Sequence, residues 1–528
     1  MRTMLNRMRA VPSAGTAALV LALGLGLPRA GMGQQRPALL VLVTVDQLRA
    51  DYIARFDAQL TGGFRRLADE SAYFVTALQD HAMTSTAPGH ATLWSGRFPR
   101  STNIVSNDLG VPDAAYPLIG GYRGPGASPR RFRGSTLIDW LVAADSTTRV
   151  VSVSRKDRGA ILPVGASREA VYWWSKDGAF TTSTYYAETL PPWLQSWNAR
   201  TAATDWLRRA WDLLLPPQRY PEPDTVPSEG VFRQRGSVFP RRPRNIAELE
   251  RFPLMDSLTL DVALTGARAL GLGRDGATDV LAVSLSTLDA IGHDFGPDSR
   301  EVHDHFLRLD RWLGDFLNSL ERELGSRELL LVVSSDHGIT TMPELLAAQG
   351  LDAGRVPLQA AVNTIMEPLQ RRHRTDFGVL VQDGLVLADT AALRARGIEV
   401  PELAARLAAA VSRLGGIERV FTPATLAAAA EADPAAGLWR RSIPPAYGWL
   451  IAAEPRPNWS VTEDPEAEHG TPDRLNLEVP LFFHGPRVGR QRVNRVVRTV
   501  DVAPTIAALP GIAPTETTDG VILRELVH

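Results

Sequence analysis

Three apolar runs, each followed closely by an aspartate, limit what this chain of 528 residues can fold into. They are ALLVLVTVDQ (38–47), ATDVLAVSLSTLDA (277–290) and RELLLVVSSDHG (327–338). Continuous apolar, β-branched runs of this kind are typical of strands that are buried on both faces of a parallel sheet. Between the second and third runs, apolar residues recur at helical spacing. The order strand, helix, strand therefore predicts an α/β fold with a doubly wound, mostly parallel sheet flanked by helices.

Two stretches interrupt this pattern, at about 110–250 and 345–465. The first is rich in Pro, Gly, Arg and Trp and has weak periodicity, and the second contains the alanine-rich helical pattern PELAARLAAAVSRL. We expect both to be inserts, or a cap over a ligand crevice, within one catalytic domain that spans 34–528.

The first 33 residues are predicted to be a secretory signal peptide. Arg2, Arg7 and Arg9 precede the apolar run TAALVLALGLGLP, and the small residues Ala30, Gly31 and Gly33 follow it. The run is too short for a comfortable membrane span. We therefore expect a periplasmic or secreted protein without stable membrane insertion, and an uncleaved N-terminal anchor is the alternative.

Composition excludes several classes of function. The net charge is −1 and cysteine is absent. Without a basic field there is no reason to expect a nucleic-acid partner, and without cysteine there is no disulfide, thiolate ligand or cysteine nucleophile. Of the 57 basic residues only Lys156 and Lys176 are lysine, so a retained lysine favours a need for a compact, rotatable ammonium. Chance retention is the alternative, and we interpret Lys176 in that way. The sequence contains no pattern that predicts an oligomeric state.

Seven residues spread over more than 400 positions are candidates for one bimetallic site. They are Asp46, Thr86, Asp289, His293, Asp336, His337 and His469. Acids at the carboxyl ends of parallel strands meet at one edge of a sheet, and an i, i+4 pair such as Asp289 and His293 shares one helix face. Two metal ions need about six protein ligands, and imidazole with carboxylate suits zinc. The set predicts a two-metal hydrolase.

Thr86 lies in the segment MTSTAPGHATLWSG. Since Pro88 is tolerated in a first helical turn, Thr86 is expected at or next to an N-cap, where free N–H groups attract phosphate. A plain helix cap is the alternative interpretation, and Thr84 and Ser85 compete as nucleophiles. A bound metal is needed in either case, because a free threonine hydroxyl is too basic to ionise at neutral pH.

The motifs around these residues extend over nearly the whole mature chain. They are VDQLRADY, GGFRRLADES, TAPGHATLWSG, SNDL at Asn107, KDRGAILPVG, YWWSKDGAFTTSTYYAETLPPWLQSWN, STLDAIGHDFGPDS, SSDHG, HGTPDRLNLEVPLFF and TVDVAPTIAALPGI. In content and order they resemble the alkaline phosphatase superfamily, most closely its PafA-like, phosphate-irrepressible branch of secreted bacterial phosphatases. SNDL departs from the tryptophan-ended GNDW that is usual there, which affects the expected packing around Asn107.

The resemblance implies a role for each site residue. One zinc ion would be held by Asp289, His293 and His469, and the other by Asp46, Asp336 and His337 with the Thr86 oxygen as fourth ligand. Thr86 would be the nucleophile that forms a phosphoenzyme, and Asn107, Lys156 and Arg158 would contact the phosphoryl oxygens.

Lys156 and Arg158 indicate which class of phosphate ester the protein is expected to hydrolyse. A Lys-x-Arg triplet on an extended segment places both cations on one side, as the dianion of a phosphate monoester requires. We therefore predict a zinc-dependent hydrolase of small-molecule phosphate monoesters. The alternative on the same fold is a phosphodiesterase or nucleotide pyrophosphatase, with an apolar pocket where these cations stand.

The sequence disfavours two further classes of protein, a sulfatase and a non-catalytic binding protein. A sulfatase needs a Cys or Ser two residues before Pro and four before Arg, whereas residues 86–90 read Thr-Ala-Pro-Gly-His. A degenerate, non-catalytic binding protein is disfavoured because every expected metal and phosphate residue is present.

Overall fold

The computed structural model describes residues 36–527 apart from 202, 225–237, 463–465 and 487. The predicted signal peptide lies outside the described residues. Within them, none of the helices combines the length and hydrophobicity that a membrane crossing requires.

Sixteen strands are formed by the described residues. They are β1 (Leu39–Val45), β2 (Ala72–Leu78), β3 (Val150–Ser154), β4 (Ala170–Trp174), β5 (Phe180–Thr181), β6 (Asp279–Leu285), β7 (Leu329–Ser334), β8 (Gly354–Arg355), β9 (Leu380–Gln382), β10 (Leu385–Leu387), β11 (Ile417–Phe421), β12 (Trp449–Pro455), β13 (Trp459–Ser460), β14 (Glu478–His484), β15 (Gln491–Val493) and β16 (Val497–Arg498).

The same residues form nineteen α-helices and five short 3-10 helices. The α-helices are α1 (Tyr52–Arg55), α2 (Gly63–Glu70), α3 (Thr86–Ser95), α4 (Pro99–Thr102), α5 (Leu137–Ala144), α6 (Asp157–Ile161), α7 (Pro192–Arg200), α8 (Ala203–Trp206), α9 (Leu254–Leu270), α10 (Thr287–Phe295), α11 (Arg300–Leu324), α12 (Pro343–Ala348), α13 (Leu358–His373), α14 (Thr390–Ala395), α15 (Val400–Val411), α16 (Pro423–Ala428), α17 (Pro434–Ser442), α18 (Arg474–Leu477) and α19 (Val502–Ala508). The 3-10 helices are Asp57–Gln59, Pro217–Arg219, Ile246–Arg251, Ser326–Glu328 and Thr499–Asp501.

A ten-stranded sheet forms the centre of the fold, in the order β15-β2-β14-β7-β1-β6-β3-β4-β5 with β16 paired to β2. The five neighbours β7, β1, β6, β3 and β4 are parallel. Strands β14 and β5 pair antiparallel to their neighbours. The predicted mostly parallel sheet is therefore confirmed, with antiparallel strands towards its two edges.

Strand β1 explains why the sheet is covered on both faces. Leu39, Val41 and Val43 pack into a cluster with residues of α9 and α11. Leu40 and Leu42 point the other way, into a cluster with residues of α3, α5 and α19. Successive side chains of a strand alternate between faces, and burying each of these side chains contributes about 1.5–3 kcal/mol. The side chains of β1 are therefore apolar on both faces of the sheet because helices cover both faces.

The stretch 110–250, expected to be an insert, supplies three strands of the central sheet. Strands β3, β4 and β5 all lie within it. They are two to five residues long. Such short strands carry too little periodicity to stand out among the surrounding Pro and Gly residues.

The second stretch, 345–465, builds a separate small sheet. Its four strands run in the order β11-β12-β10-β9. Helices α13 and α15 cover it and share a buried cluster with Val386 and Leu450. This small sheet has its own core and stands beside the edge of the central sheet where the candidate site lies.

Candidate active site

Three aspartates converge at one edge of the central sheet. Asp46 directly follows β1, Asp336 lies just after β7, and Asp289 lies in the first turn of α10, which follows β6. The strands are adjacent and parallel, so their carboxyl ends deliver these side chains to one crevice. All three residues are buried. This confirms the expected juxtaposition of the three acids.

Three groups of side chains among the described residues have the composition of a metal site. One consists of His293, Glu466 and Glu468, and the other two contain the six predicted ligands. Of these two, Asp46, Asp336 and His337 form one group, and Asp289, His293 and His469 form the other. Within each group the potential ligand atoms all lie within 4.8 Å of one another. The rings of His337 and His469 are stacked at 3.7 Å between centroids, so the two groups adjoin. The structure therefore brings together the six residues, in the two sets that the resemblance implies.

The three histidines are oriented for coordination. The Nδ1 atoms of His293, His337 and His469 each lie 2.7–2.9 Å from a backbone carbonyl oxygen. A carbonyl oxygen can only accept a hydrogen bond, so Nδ1 carries the proton and Nε2 presents its lone pair to the site. Metal-ligating histidines are typically held in this way by their second nitrogen.

Buried atoms without hydrogen-bond partners support the same interpretation. Asp336 Oδ2 and His337 Nε2 are buried and make no well-formed hydrogen bond among the described residues. His90 Nδ1 nevertheless lies 3.0 Å from Asp336 Oδ2, and Asp46 lies 3.3 Å from His337 Nε2. Buried polar atoms are nearly always paired, so such atoms facing one point favour a ligand there. Carboxylate oxygens and imidazole nitrogens in this number fit zinc.

The electrostatics of the site favour positive charge. Burial acts to lower the pKa of His293, but the Asp289 carboxylate outweighs burial and raises that pKa to about 10. Burial and Asp289 act to raise the pKa of Asp46, yet Lys156 and His337 hold it well below its usual range. Carboxylates that favour a protonated imidazole also favour a metal cation.

Helix α3 presents Thr86 to these groups. Ser85 is the N-cap residue and Thr86 is the first helical residue. Thr86 Oγ accepts a hydrogen bond of 3.1 Å from Lys156 Nζ. The competing hydroxyls are engaged elsewhere, because Thr84 donates to a backbone carbonyl at 2.9 Å and Ser85 donates to Asp383 at 2.5 Å. Of the three hydroxyls, that of Thr86 therefore faces Lys156.

Lys156 connects the two metal groups. Its Nζ lies 2.6 Å from an oxygen of Asp46 and 2.6 Å from an oxygen of Asp289. The residue is only 8% exposed. A buried ammonium in contact with one acid of each group marks the point where the two groups meet.

Lys156 and Arg158 are not on an extended segment, as the sequence suggested. Helix α6 begins at Asp157, with Lys156 as its N-cap residue. A Lys-x-Arg triplet also fits the start of a helix, and both residues still line one cavity of about 270 Å³ together with Asp289 and His293. Arg158 Nε is buried and has no hydrogen-bond partner among the described residues. Both cations therefore line the same cavity although the local structure differs from the expected one.

Asn107 lies beside the start of helix α3. Its side-chain oxygen accepts a hydrogen bond of 2.9 Å from the backbone N–H of Ala87, next to Thr86. The NH2 group is then what this residue can offer to a ligand.

Sequence reasoning missed two residues at the site. Gln47 has a left-handed backbone (φ +69°), and its side chain donates to Asp289 at 3.0 Å. His90 Nδ1 lies 3.0 Å from Asp336 Oδ2, and its Nε2 lies 2.9 Å from Ser284 Oγ. Their only sequence signals are that Gln47 follows Asp46 and that His90 lies one helical turn after Thr86.

Known proteins share this architecture. Residues 40–476 match the family described as type I phosphodiesterase / nucleotide pyrophosphatase. Alkaline phosphatase PhoV of Synechococcus elongatus is 30% identical over 522 residues, which cover 93% of each chain. The chain belongs to the alkaline phosphatase superfamily. Alkaline phosphatase PafA of Elizabethkingia meningoseptica is 27% identical over 90% of this chain and 91% of its own.

Solved structures of PafA place the chain in the PafA-like branch of the superfamily. The wild-type crystal structure matches with a TM-score of 0.86 and 26% identity, over 93% of this chain and 99% of that one. A second PafA structure carries replacements of a threonine, an asparagine, a lysine and an arginine. These relatives confirm the predicted branch and the prediction of a phosphoric monoester hydrolase.

Proposed function

We propose that this chain is a periplasmic or secreted, two-zinc phosphatase that hydrolyses small-molecule phosphate monoesters through a phosphothreonine at Thr86. The observation that carries the proposal is the contact of the Thr86 hydroxyl with Lys156, whose ammonium also contacts one acid of each metal group. A hydroxyl, a cation and two adjoining ligand sets at one point are what in-line phosphoryl transfer needs.

The reaction has two steps. The Thr86 hydroxyl loses its proton to solvent as Oγ attacks phosphorus. A new O–P bond forms, the bond to the leaving alkoxide or aryloxide breaks, and the departing oxygen takes up a proton from solvent. Water then attacks the phosphothreonine, which releases inorganic phosphate and restores the hydroxyl. When bound, the zinc ions supply charge that lowers the pKa of a coordinated hydroxyl and stabilises the departing oxygen.

Three side chains contact the transferred group. The loose transition state keeps most of the charge on the non-bridging oxygens. Lys156, Arg158 and the Asn107 NH2 group donate to these oxygens. The residue types replaced in the PafA variant support these roles, because its threonine and asparagine are separated by the same interval as Thr86 and Asn107. Its lysine and arginine are likewise separated by one residue, as in Lys156 and Arg158.

A phosphodiesterase is the second candidate, since the family description includes that activity. A diester carries one fewer ionisable oxygen and a second substituent. The cavity beside the metal groups is lined by four cationic side chains and by four carboxylates, namely Arg155, Lys156, Arg158, Arg251, Glu250, Asp289, Glu466 and Glu468. Arg155 is paired with Glu250, and Arg251 is paired with Asp294. Lys156 and Arg158 are therefore the cations that favour the dianion of a monoester.

The test compares an aryl phosphate monoester with the matching diester. We expect Lys156→Ala/Arg158→Ala to lose most of its kcat/KM for the monoester and little for the diester. Lys176→Ala is the control, because Lys176 is the other lysine of the chain and is exposed. Equal losses of kcat/KM for both substrates would contradict a specificity for monoesters. A zinc-loaded protein that hydrolyses no phosphate ester would contradict the proposed phosphatase activity.

The nucleophile is tested separately. Thr86→Ala should form no phosphoenzyme when mixed with an aryl phosphate, as measured by intact-protein mass after rapid acid quenching. Phosphorylation that persists in this variant would assign the nucleophile to another hydroxyl.

A further inference from the structure

The small sheet reaches the start of helix α3 through the tip of one hairpin. Strands β9 and β10 are joined by the two-residue loop Asp383-Gly384, in which φ is +49° and +93°. Positive φ at both loop positions defines the type I′ turn, for which Asp-Gly is a preferred pair. The turn projects the Asp383 side chain away from the small sheet.

The Asp383 carboxylate meets the residue that precedes Thr86. Ser85 Oγ donates a hydrogen bond of 2.5 Å to Asp383 Oδ2. Serine at an N-cap usually accepts from an N–H of its own helix, but the Ser85 side chain makes no such bond. The hydroxyl that would cap α3 is committed instead to the hairpin tip, 298 residues further along the chain.

The same carboxylate packs against the loop that carries His469. A Cβ atom at Gly470 would overlap the Asp383 carboxyl group, so only glycine allows this approach. Gly470 N–H donates to Thr84 Oγ at 3.1 Å. Thr84 Oγ in turn donates to the carbonyl of Thr471 at 2.9 Å. Asp383, at the tip of the hairpin of the small sheet, therefore contacts both the start of α3 and the loop at 469–471. We refer to this set of contacts as the junction at Ser85.

Apolar packing fixes the hairpin in this place. Leu385 and Trp439 of the small-sheet region share a buried cluster with Ala82, Met83 and Val105. Ala82 and Met83 lie in the segment that leads into α3. The hairpin is thus anchored on the chain just before Ser85.

Asp383 has no ion-pair partner among the described residues. The residue is half-buried, and among the described residues the Ser85 hydroxyl is the group that donates a hydrogen bond to its carboxylate. A carboxylate that has no counter-ion and is held against the start of α3 favours a role at the site.

We propose that Asp383 is a positioning residue for phosphoryl transfer, which fixes the first turn of α3, and with it Thr86 Oγ, by accepting the Ser85 hydroxyl. The inference rests on the function proposed above. Asp383 acts through its hydrogen bond with Ser85 and not by contact with the phosphate or with the side chains of the proposed metal ligands. In-line transfer is sensitive to such placement, since a displacement of about 1 Å costs on the order of 100-fold in rate.

Three variants separate the hydrogen bond from the turn. Asp383→Gly keeps the left-handed backbone and removes the acceptor, Asp383→Asn keeps both the turn and an acceptor oxygen, and Ser85→Ala removes the donor. Arg374→Gly is the matched control, because Arg374 is exposed and has the same φ of +49°.

We expect Asp383→Gly and Ser85→Ala each to lower kcat for an aryl phosphate by about 10-fold or more, with KM and zinc content little changed. The double variant should be no slower than the slower single variant, because both remove one interaction. Asp383→Asn and Arg374→Gly should keep most of the wild-type kcat. Losses that multiply in the double variant, or an Asp383→Asn as slow as Asp383→Gly, would overturn the proposal.

Hydrogen exchange gives a readout that does not depend on turnover. The backbone amides of Thr86, Ala87, Gly89 and His90 should exchange faster in Asp383→Gly and Ser85→Ala than in wild type, but should exchange at the wild-type rate in Asp383→Asn. If wild-type protein hydrolyses no aryl phosphate, the proposed function fails, whereas unchanged exchange in Asp383→Gly is what would show that Asp383 does not hold α3.

Discussion

His469 Nδ1 donates a hydrogen bond of 2.8 Å to the carbonyl oxygen of Thr84, two residues before Thr86. One bond therefore orients the imidazole of a proposed metal ligand and, at the same time, holds the segment that presents the proposed nucleophile. Metal binding and the placement of Thr86 are coupled through it.

Replacing His469 with glutamine should remove zinc from one group only. We expect the zinc content to fall from about two ions per chain to about one, because Asp289 and His293 alone are too few ligands for a stable zinc site. Elemental analysis of the purified variant measures this. His373→Gln, at the end of α13, is the control, and a variant that keeps both ions would contradict the assignment of His469.

Removing the metal should make Lys156 important for stability. In metal-free protein, the Lys156 ammonium contacts both Asp46 and Asp289. Of these two acids, His293 contacts only Asp289, and His337 contacts Asp46. Breaking a buried ion pair from one side costs about 3–5 kcal/mol. The free energy of unfolding in chelator, from urea titration, should therefore fall by about this amount in Lys156→Ala relative to wild type. An equal stability of the two metal-free proteins is the contrary outcome.

Gly89 should not tolerate a side chain. A Cβ atom there would overlap the carbonyl oxygen of Asp336 and lie 2.8 Å from its Cβ. Gly89→Ala should push α3 away from Asp336 and lower kcat/KM for a phosphate monoester by about 10-fold or more. Gly415→Ala serves as control, since a Cβ there meets nothing within 4 Å. Similar kinetics of the two variants would show that α3 can shift freely.

Acid should destabilise the protein through His81. Burial, with a contribution from Arg441, lowers the pKa of His81 from 6.5 to about 3. Between these values the unfolded chain binds a proton that the folded protein does not, so the free energy of unfolding falls as pH drops below 6.5. His81 then accounts for about 2 kcal/mol of the loss between pH 7 and 5. Urea titrations of wild type and His81→Gln at both pH values measure the difference, and identical pH dependence would exclude His81 as its source.

The central sheet and the metal groups could be predicted because their signals are local. The runs that form β1, β6 and β7 are long enough to be recognised as buried strands, and their acids follow within a few residues. Strand β3 is only five residues long and lies in a Pro- and Gly-rich stretch, so the sequence pattern there predicts an insert rather than a strand of the central sheet.

The junction at Ser85 could not be predicted. Its two partners are 298 residues apart, and neither Ser85 nor Asp383 lies in a pattern that indicates a contact. Likewise, Arg158 fits a strand or the start of a helix equally well by spacing, and only the packing of α6 after β3 decides between them. Long-range hydrogen bonds of this kind depend on the assembled fold rather than on local propensity.

The scarcity of lysine has a practical consequence. Lys156 is 8% exposed, whereas Lys176 lies on the surface. An amine-reactive reagent used under mild conditions will therefore meet one accessible side chain besides the chain's terminal amine. The folded protein can be tethered or labelled through Lys176 while the ammonium at the centre of the site stays unmodified.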